Sequence, residues 1–125
     1  MKNPVFGEFV FDTGWKAKTD IGLFGANHMI VVKAASYFEK DKITPEQERA
    51  FENYNKNKAD ILKKAEDLLI GHMGAEASRR LVPKTLLFRR DGSYALLLDD
   101  QEDEDKDVAV CLAPTAEVMP QEEYL

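Results

Sequence analysis

Residues 44–72 limit the fold of this chain more than any other stretch. Thr44-Pro45-Glu46-Gln47 supplies a hydroxyl N-cap, a proline at the first helical position and a glutamine able to return a bond to the cap. Ala50, Phe51, Tyr54, Ile61, Leu62, Ala65, Leu68 and Leu69 then recur at three- and four-residue steps, which gathers them into one apolar stripe. Lys58 interrupts the stripe; its stem can pack while its amine reaches water. The spacing predicts a single helix over 44–72, about 40 Å long at roughly 1.5 Å per residue, ended by Gly71 or Gly74.

Strand patterns lie on both sides of this helix. Residues 5–11 are rich in valine and phenylalanine and run into Asp12-Thr13-Gly14, a turn signal. Trp15, Ala17, Thr19, Ile21 and Leu23 alternate with polar or small neighbours, and residues 29–35 are apolar on both faces except at Lys33. The first is the period of a half-buried strand, the second the composition of a central one. Residues 73–82 read as a connection. Beyond it, 85–90 and 94–98 flank Asp91-Gly92, a two-residue hairpin signal. In 107–113, Val108, Val110 and Leu112 alternate with Ala109, Cys111 and Ala113, and Pro114 ends the ladder. From Glu117 onward the chain reads as a return or tail that Tyr124 and Leu125 could anchor. The expected fold class is α+β: one domain over 1–125, an antiparallel sheet with one long helix on one face, in the order β-β-β-α-β-β-β.

Charge narrows the function. The 125 residues carry a formal charge of −6 and a pI near 4.9, which argues against nucleic acid as the partner, since such proteins usually present a basic face. Apolar content of 44% puts the chain among globular proteins. The start of the chain lacks the apolar core of a signal peptide and no segment reaches membrane-spanning length. One cysteine, Cys111, cannot form an internal disulfide. The expectation is a cytoplasmic protein.

The acidic run is the most distinctive polar feature. Residues 99–107 read Asp-Asp-Gln-Glu-Asp-Glu-Asp-Lys-Asp, with Lys106 the only cation. Held between two strands, Asp99, Asp100, Glu102, Asp103, Glu104 and Asp105 form a candidate partner-binding surface for a basic protein. The bland reading is a solubilising turn that guards the sheet against edge pairing. Asp103, Asp105 and Asp107 have the first three spacings of an EF-hand, but Val108 stands where the turn glycine belongs and Pro114 where the bidentate glutamate belongs. No metal or cofactor is expected.

Other chemistry is sparse. His28 follows a turn and His72 falls in the last helical turn, where a cation complements the dipole. Cys111 reads as a buried structural thiol. Arg79, Arg80, Lys84, Arg89 and Arg90 form a segment with no acid between residues 77 and 90. Their alternatives are pairing with the hairpin or acidic loop, or a phosphate site. Nothing in the motifs points to an enzyme.

The helix start Ile43-Thr44-Pro45-Glu46-Gln47, the segment Phe6-Gly7, the aromatic strand at Trp15, and Leu96-Leu97-Leu98-Asp99-Asp100 leading through acids to Val108-Ala109-Val110 carry a resemblance. The chain resembles an uncharacterised bacterial group of small α+β proteins, some found beside polymorphic toxins and contact-dependent growth inhibition systems as candidate immunity proteins. It departs from the group at Lys106-Asp107, where a His-Gly or Asn-Gly turn is usual. The resemblance implies an immunity or antitoxin-like inhibitor of a basic toxin such as a nuclease. The residues alone equally admit a non-catalytic interaction module, able to self-associate through a sheet face or edge. A third reading is a small ligand-binding domain or enzyme with a pocket near Tyr54, Trp15 or His28.

Overall fold

The helix cap forms as its spacing predicts. In the computed structural model, Thr44 Oγ1 accepts the Gln47 N–H at 3.1 Å and Gln47 Oε1 accepts the Thr44 N–H at 2.9 Å. The structure describes residues 2–3, 7–8, 10–11, 15–36, 42–113 and 115–124, with the backbone alone at 2–3, 7–8, 10–11 and 104. In chain order the elements are β1 (Lys2–Asn3), β2 (Gly7–Glu8), β3 (Val10–Phe11), β4 (Trp15–Leu23), β5 (Ala26–Ala34), α1 (Pro45–Lys56), α2 (Lys58–Met73) and α3 (Ala77–Arg80). There follow β6 (Leu81–Phe88), β7 (Tyr94–Asp100), β8 (Val108–Ala113), β9 (Glu117–Pro120) and α4 (Gln121–Tyr124).

The α+β class is correct, but the sheet is mixed. Its order is β3-β4-β5-β6-β7-β8-β9, six strands of four residues or more with the two-residue β3 at one edge. Every neighbouring pair is antiparallel except β5 and β6, which run parallel with Val31 opposite Thr85 and Ala34 opposite Phe88. The wholly antiparallel expectation fails here because the helical segment returns the chain to the end where β5 began. β1 and β2 pair with each other in a separate ribbon. Of the expected strand at 5–11, residues 5, 6 and 9 lie outside the described residues.

The expected single helix is two. α1 stops at Asn57, whose backbone leaves helical geometry at φ −117° and ψ 22°. Its side-chain amide donates to the Asn53 carbonyl at 3.1 Å and to Asn53 Oδ1 at 3.0 Å, the local competition by which asparagine disfavours helix interiors. Length supplies a second reason: an unbroken 29-residue helix would run about 43 Å, whereas a nine-residue strand spans about 30 Å. Gly74 then caps α2 at φ 76°. The expected connection over 73–82 is instead ordered, holding α3 and the first residues of β6.

One face of the sheet packs on the helices. Trp15, Ile21, Ile30, Val32, Leu86, Phe88, Tyr94, Leu96, Leu98 and Val110 meet Tyr54, Leu62, Ala65 and Leu69 there. Phe88 and Tyr94 stack at 4.7 Å between centroids, and Phe51 and Tyr54 close on them edge-on. The opposite face holds a smaller cluster of Leu87, Ala95, Leu97, Ala109 and Cys111 under Tyr124. Two buried faces explain why residues 86–88 of β6 and 94–98 of β7 read as unbroken apolar runs. Of the expected return or tail, the return forms: β9 pairs back on β8 and α4 follows, with Tyr124 buried as its anchor.

Gln47 ties three elements together. It is fully buried, and its Nε2 donates to the carbonyls of Ala35 and Phe88, both at 3.1 Å. Gly92 completes the same end: at φ 93° it turns the β6–β7 hairpin, and a Cβ there would lie 2.9 Å from the Glu46 carbonyl oxygen. We predict that Gln47→Met, which keeps the volume and loses the bonds, lowers unfolding free energy by about 2–3 kcal/mol in urea titration. Gly92→Ala is expected to cost at least about 1–2 kcal/mol through strain at positive φ. A loss under about 0.5 kcal/mol for Gln47→Met would show that its bonds are not what holds the helix to the sheet.

Candidate functional site

The acidic loop sits between β7 and β8 and is built by its own carboxylates. Asp100 Oδ1 accepts the Glu102 N–H at 2.9 Å and the Asp103 N–H at 3.3 Å. Asp103 Oδ1 accepts the Asp105 N–H at 3.0 Å, and Asp107 Oδ1 accepts the Asp100 N–H at 2.7 Å. Short polar side chains that bond the backbone two or three residues on are the usual means of fixing a turn. Two β-strand ends hold the loop from outside, and Gln101 N–H donates to the Arg80 carbonyl at 2.8 Å.

The six expected partner-binding residues divide. Asp100 is not a docking residue: its side chain is 0% exposed and forms a two-pronged pair with Arg80, Nη2 to Oδ2 at 2.7 Å and Nε to Oδ1 at 3.2 Å. It follows Leu96 and Leu98 on the helix-facing side of β7, which is why it is buried. Glu102 stays half-exposed but is engaged by Arg79 at 2.5 Å and Arg80 at 3.1 Å. Glu76 on the segment before α3 joins both arginines. Asp105 is exposed, Asp103 is 41% exposed with Lys106 at 4.0 Å, and Asp99 is half-buried. The Glu104 side chain lies outside the described residues.

The arginines reduce the charge at this end without cancelling it. Residues 99–107 with Glu76, Arg79 and Arg80 comprise eight carboxylates against three cations, an excess of five negative charges. Burial pushes the Asp100 carboxyl up, but the Arg80 bonds, the backbone N–H groups and the guanidinium charge outweigh it and hold it below the ordinary range. Arg80 is in turn held more firmly charged, first by its bond to Asp100.

The remaining candidates are structural. Arg90 Nη1 donates to the carbonyls of Lys42 at 2.9 Å and Ala35 at 3.2 Å. Arg89 lies 3.8 Å over the Tyr124 ring and donates to the Tyr124 carbonyl. Among the described residues, neither arginine bonds the acidic loop. Trp15 and Tyr54 are core residues, 4% and 2% exposed, with the Tyr54 phenol pushed up to about 12 by burial and by Tyr94. Cys111 is a free, buried thiol 4.0 Å from the Met119 sulfur, pushed up first by burial and then by Glu117. Among the described residues, no three His, Cys, Asp or Glu side chains are grouped to hold a metal ion, and no helix is long and apolar enough to cross a membrane.

No family model, curated protein or solved structure matches this chain.

A carboxylate depressed on folding contributes stability that is whole above its unfolded value of about 4 and is lost as pH falls through its folded value. Asp100→Asn is accordingly expected to lower the urea midpoint at pH 7, and its gap to the parent should shrink below about pH 4. Asp105→Asn should change little at either pH. A gap for Asp100→Asn that is constant from pH 7 to pH 3 would show that charge is not what holds this residue. For Cys111, thiol alkylation at pH 8 should be at least about tenfold slower in the folded protein than in urea. Equal rates would contradict its burial.

Proposed function

We propose that this chain is a non-catalytic, immunity-type protein that docks a basic partner protein on its acidic β7–β8 end. The observation that carries the reading is a loop with surplus negative charge whose own carboxylates hydrogen-bond its backbone. Its internal carboxylates, Asp100 and Asp107, order the backbone, which leaves Asp103 and Asp105 facing solvent on a rigid base. Preorganisation reduces the entropy lost on docking. Concentrated charge of one sign raises association rate and selects partners of the other. The resemblance to toxin-associated proteins supports a toxin domain as that partner, and blocking of its basic nucleic-acid site as the inhibitory act. The free cysteine fits a reducing compartment, so the cytoplasm belongs to the same proposal.

The contact surface is narrower than the acidic run. It comprises Asp99, Asp103 and Asp105, with Glu102 and Glu76 at its rim, and Asp100 supports it from below. The test is surface plasmon resonance against the basic product of the adjacent reading frame, at 50 mM and 300 mM salt. The triple variant Asp99→Asn, Asp103→Asn, Asp105→Asn is expected to associate about tenfold more slowly at low salt, with a flattened salt dependence. Equal association rates for parent and variant at 50 mM salt would overturn the reading.

A further inference from the structure

The end of the sheet away from the acidic loop carries a cavity of about 360 Å³, the size of a small-ligand site. It lies where β6 turns into β7 and β8 into β9, whereas residues 99–107 join the other ends of β7 and β8. Cys111 and Tyr124 are its buried floor, 7% and 4% exposed, while Asp91, Glu117, Glu123 and Arg89 stand exposed at its mouth. The Tyr124 hydroxyl is buried and, among the described residues, has no hydrogen-bond partner. A buried phenol ordinarily finds one, so this group calls for a reason. It faces the cavity: burial pushes the phenol up, and the groups that act on it next are Arg89, Cys111, Ser93 and Asp91, all of them lining residues. Arg89 is engaged elsewhere, with its guanidinium over the ring face and a bond to the Tyr124 carbonyl. Ser93 gives its hydroxyl proton to Asp91 Oδ1 at 2.7 Å.

We propose that this cavity binds the primary ammonium of a small alkylamine, with the Tyr124 phenol oxygen, Ser93 Oγ and the Asp91 carboxylate as its acceptors. Charge sets the sign of the ligand: three carboxylates face one guanidinium, and that guanidinium is already bonded. An ammonium carries three N–H donors and no acceptor. Ser93 Oγ keeps lone pairs after donating, the phenol oxygen has its own, and among the described residues Asp91 spends Oδ1 alone on its turn. Those bonds, first the one from the Ser93 hydroxyl, hold the Asp91 carboxyl below its ordinary range and keep it anionic at neutral pH. A sheltered charge is tolerated where it is both paired and hydrogen-bonded, and these three groups supply both. Ala113, Met119 and Cys111 give an apolar wall for a methylene stem. Glu117 and Glu123 at the mouth suit a second amine at the far end of a diamine. The site is remote from the acidic loop and does not depend on the proposed docking function.

NMR titration of the full chain with diaminobutane and n-butylamine provides the test. Both should shift the Ser93, Cys111 and Ala113 amides with dissociation constants of about 1 mM or tighter, the diamine being the tighter. Tyr124→Phe, which removes one oxygen and keeps the ring, should weaken binding at least about fivefold. Asp91→Asn, which can keep the turn bonds and loses the charge, should weaken it about tenfold or more. Asp105→Asn, at the other end of the sheet, should bind like the parent. Butyrate and n-butyltrimethylammonium, a cation with no N–H, should leave those signals in place. Bound diamine should also slow alkylation of Cys111. Nα-acetyl-lysine methylamide separates the two sources of such an amine. If it binds at least as tightly as n-butylamine, a protein side chain fits the cavity; if it fails where diaminobutane binds, the ligand is a free amine. No shift with either amine at about 20 mM, a Tyr124→Phe variant that binds like the parent, or a trimethylammonium probe that binds as well as n-butylamine would each overturn the proposal.

Discussion

One buried amide holds the architecture in register. Gln47 accepts from the start of α1 and donates to the Ala35 carbonyl just past β5 and to the last carbonyl of β6, that of Phe88. Those strands must finish at the same level, because Ala35 N–H also donates to the Phe88 carbonyl at 2.8 Å. Parallel neighbours cannot be joined by a tight turn, so the chain must travel back along the sheet before β6 begins. The helical segment makes that return, and the Gln47 bonds fix where it starts. Arg90 and Thr44 reinforce the junction: Thr44 Oγ1 donates to the Arg90 carbonyl at 2.8 Å, while the Arg90 guanidinium bonds carbonyls before the helix. The amide is buried at low cost because both its oxygen and its nitrogen are satisfied.

The return trip ends on a charged junction of opposite character. Arg80 is the last residue of α3, immediately before β6, and Asp100 is the last residue of β7. Their pair fastens the helical layer to the sheet at the end where the acidic loop emerges. One short run of similar residues therefore performs two jobs. Asp100 and Asp107 bond inward and give the loop its shape, while Asp103 and Asp105 remain outside. A change at Asp100 would disturb both jobs at once; a change at Asp105 isolates the second. Surface charge here is built on a structural ion pair.

Much of this was legible in local patterns. The capping box, the Asp91-Gly92 hairpin, the alternation of β4 and β8 and the Tyr124 anchor are all encoded within a few residues. The parallel pairing of β5 and β6 was not, because strand neighbours across a helical crossover leave no local mark. The break at Asn57 left a faint one, since Asn53, Asn55 and Asn57 cluster where the helix pattern is otherwise sound. β9 was hidden by Glu117 and Pro120, which are poor strand formers. The burial of Asp100 could have been found: Tyr94, Leu96 and Leu98 face the helices, and the same period of two carries on to residue 100. Extending an apolar alternation into a charged run assigns each charge to a face, and an acid on the inner face needs a cation such as Arg80.

The same logic applies to the margins of the sheet. β9 is only four residues long, ends in a proline that lacks a donor, and is followed at once by α4, all ordinary protections for an edge. Among the described residues β4 has length without such cover, and its exposed residues are Lys18, Asp20 and Gly22. Charges on an edge usually repel other strands. Lys18 and Asp20, charged and two residues apart on one face, disfavour apolar strands at this edge. Lys58 fits the same pattern, its Nζ donating to the Asp20 carbonyl at 3.1 Å. An ammonium that can leave a carbonyl guards an edge less absolutely than a proline, so β4 is limited in its pairing where β9 is closed.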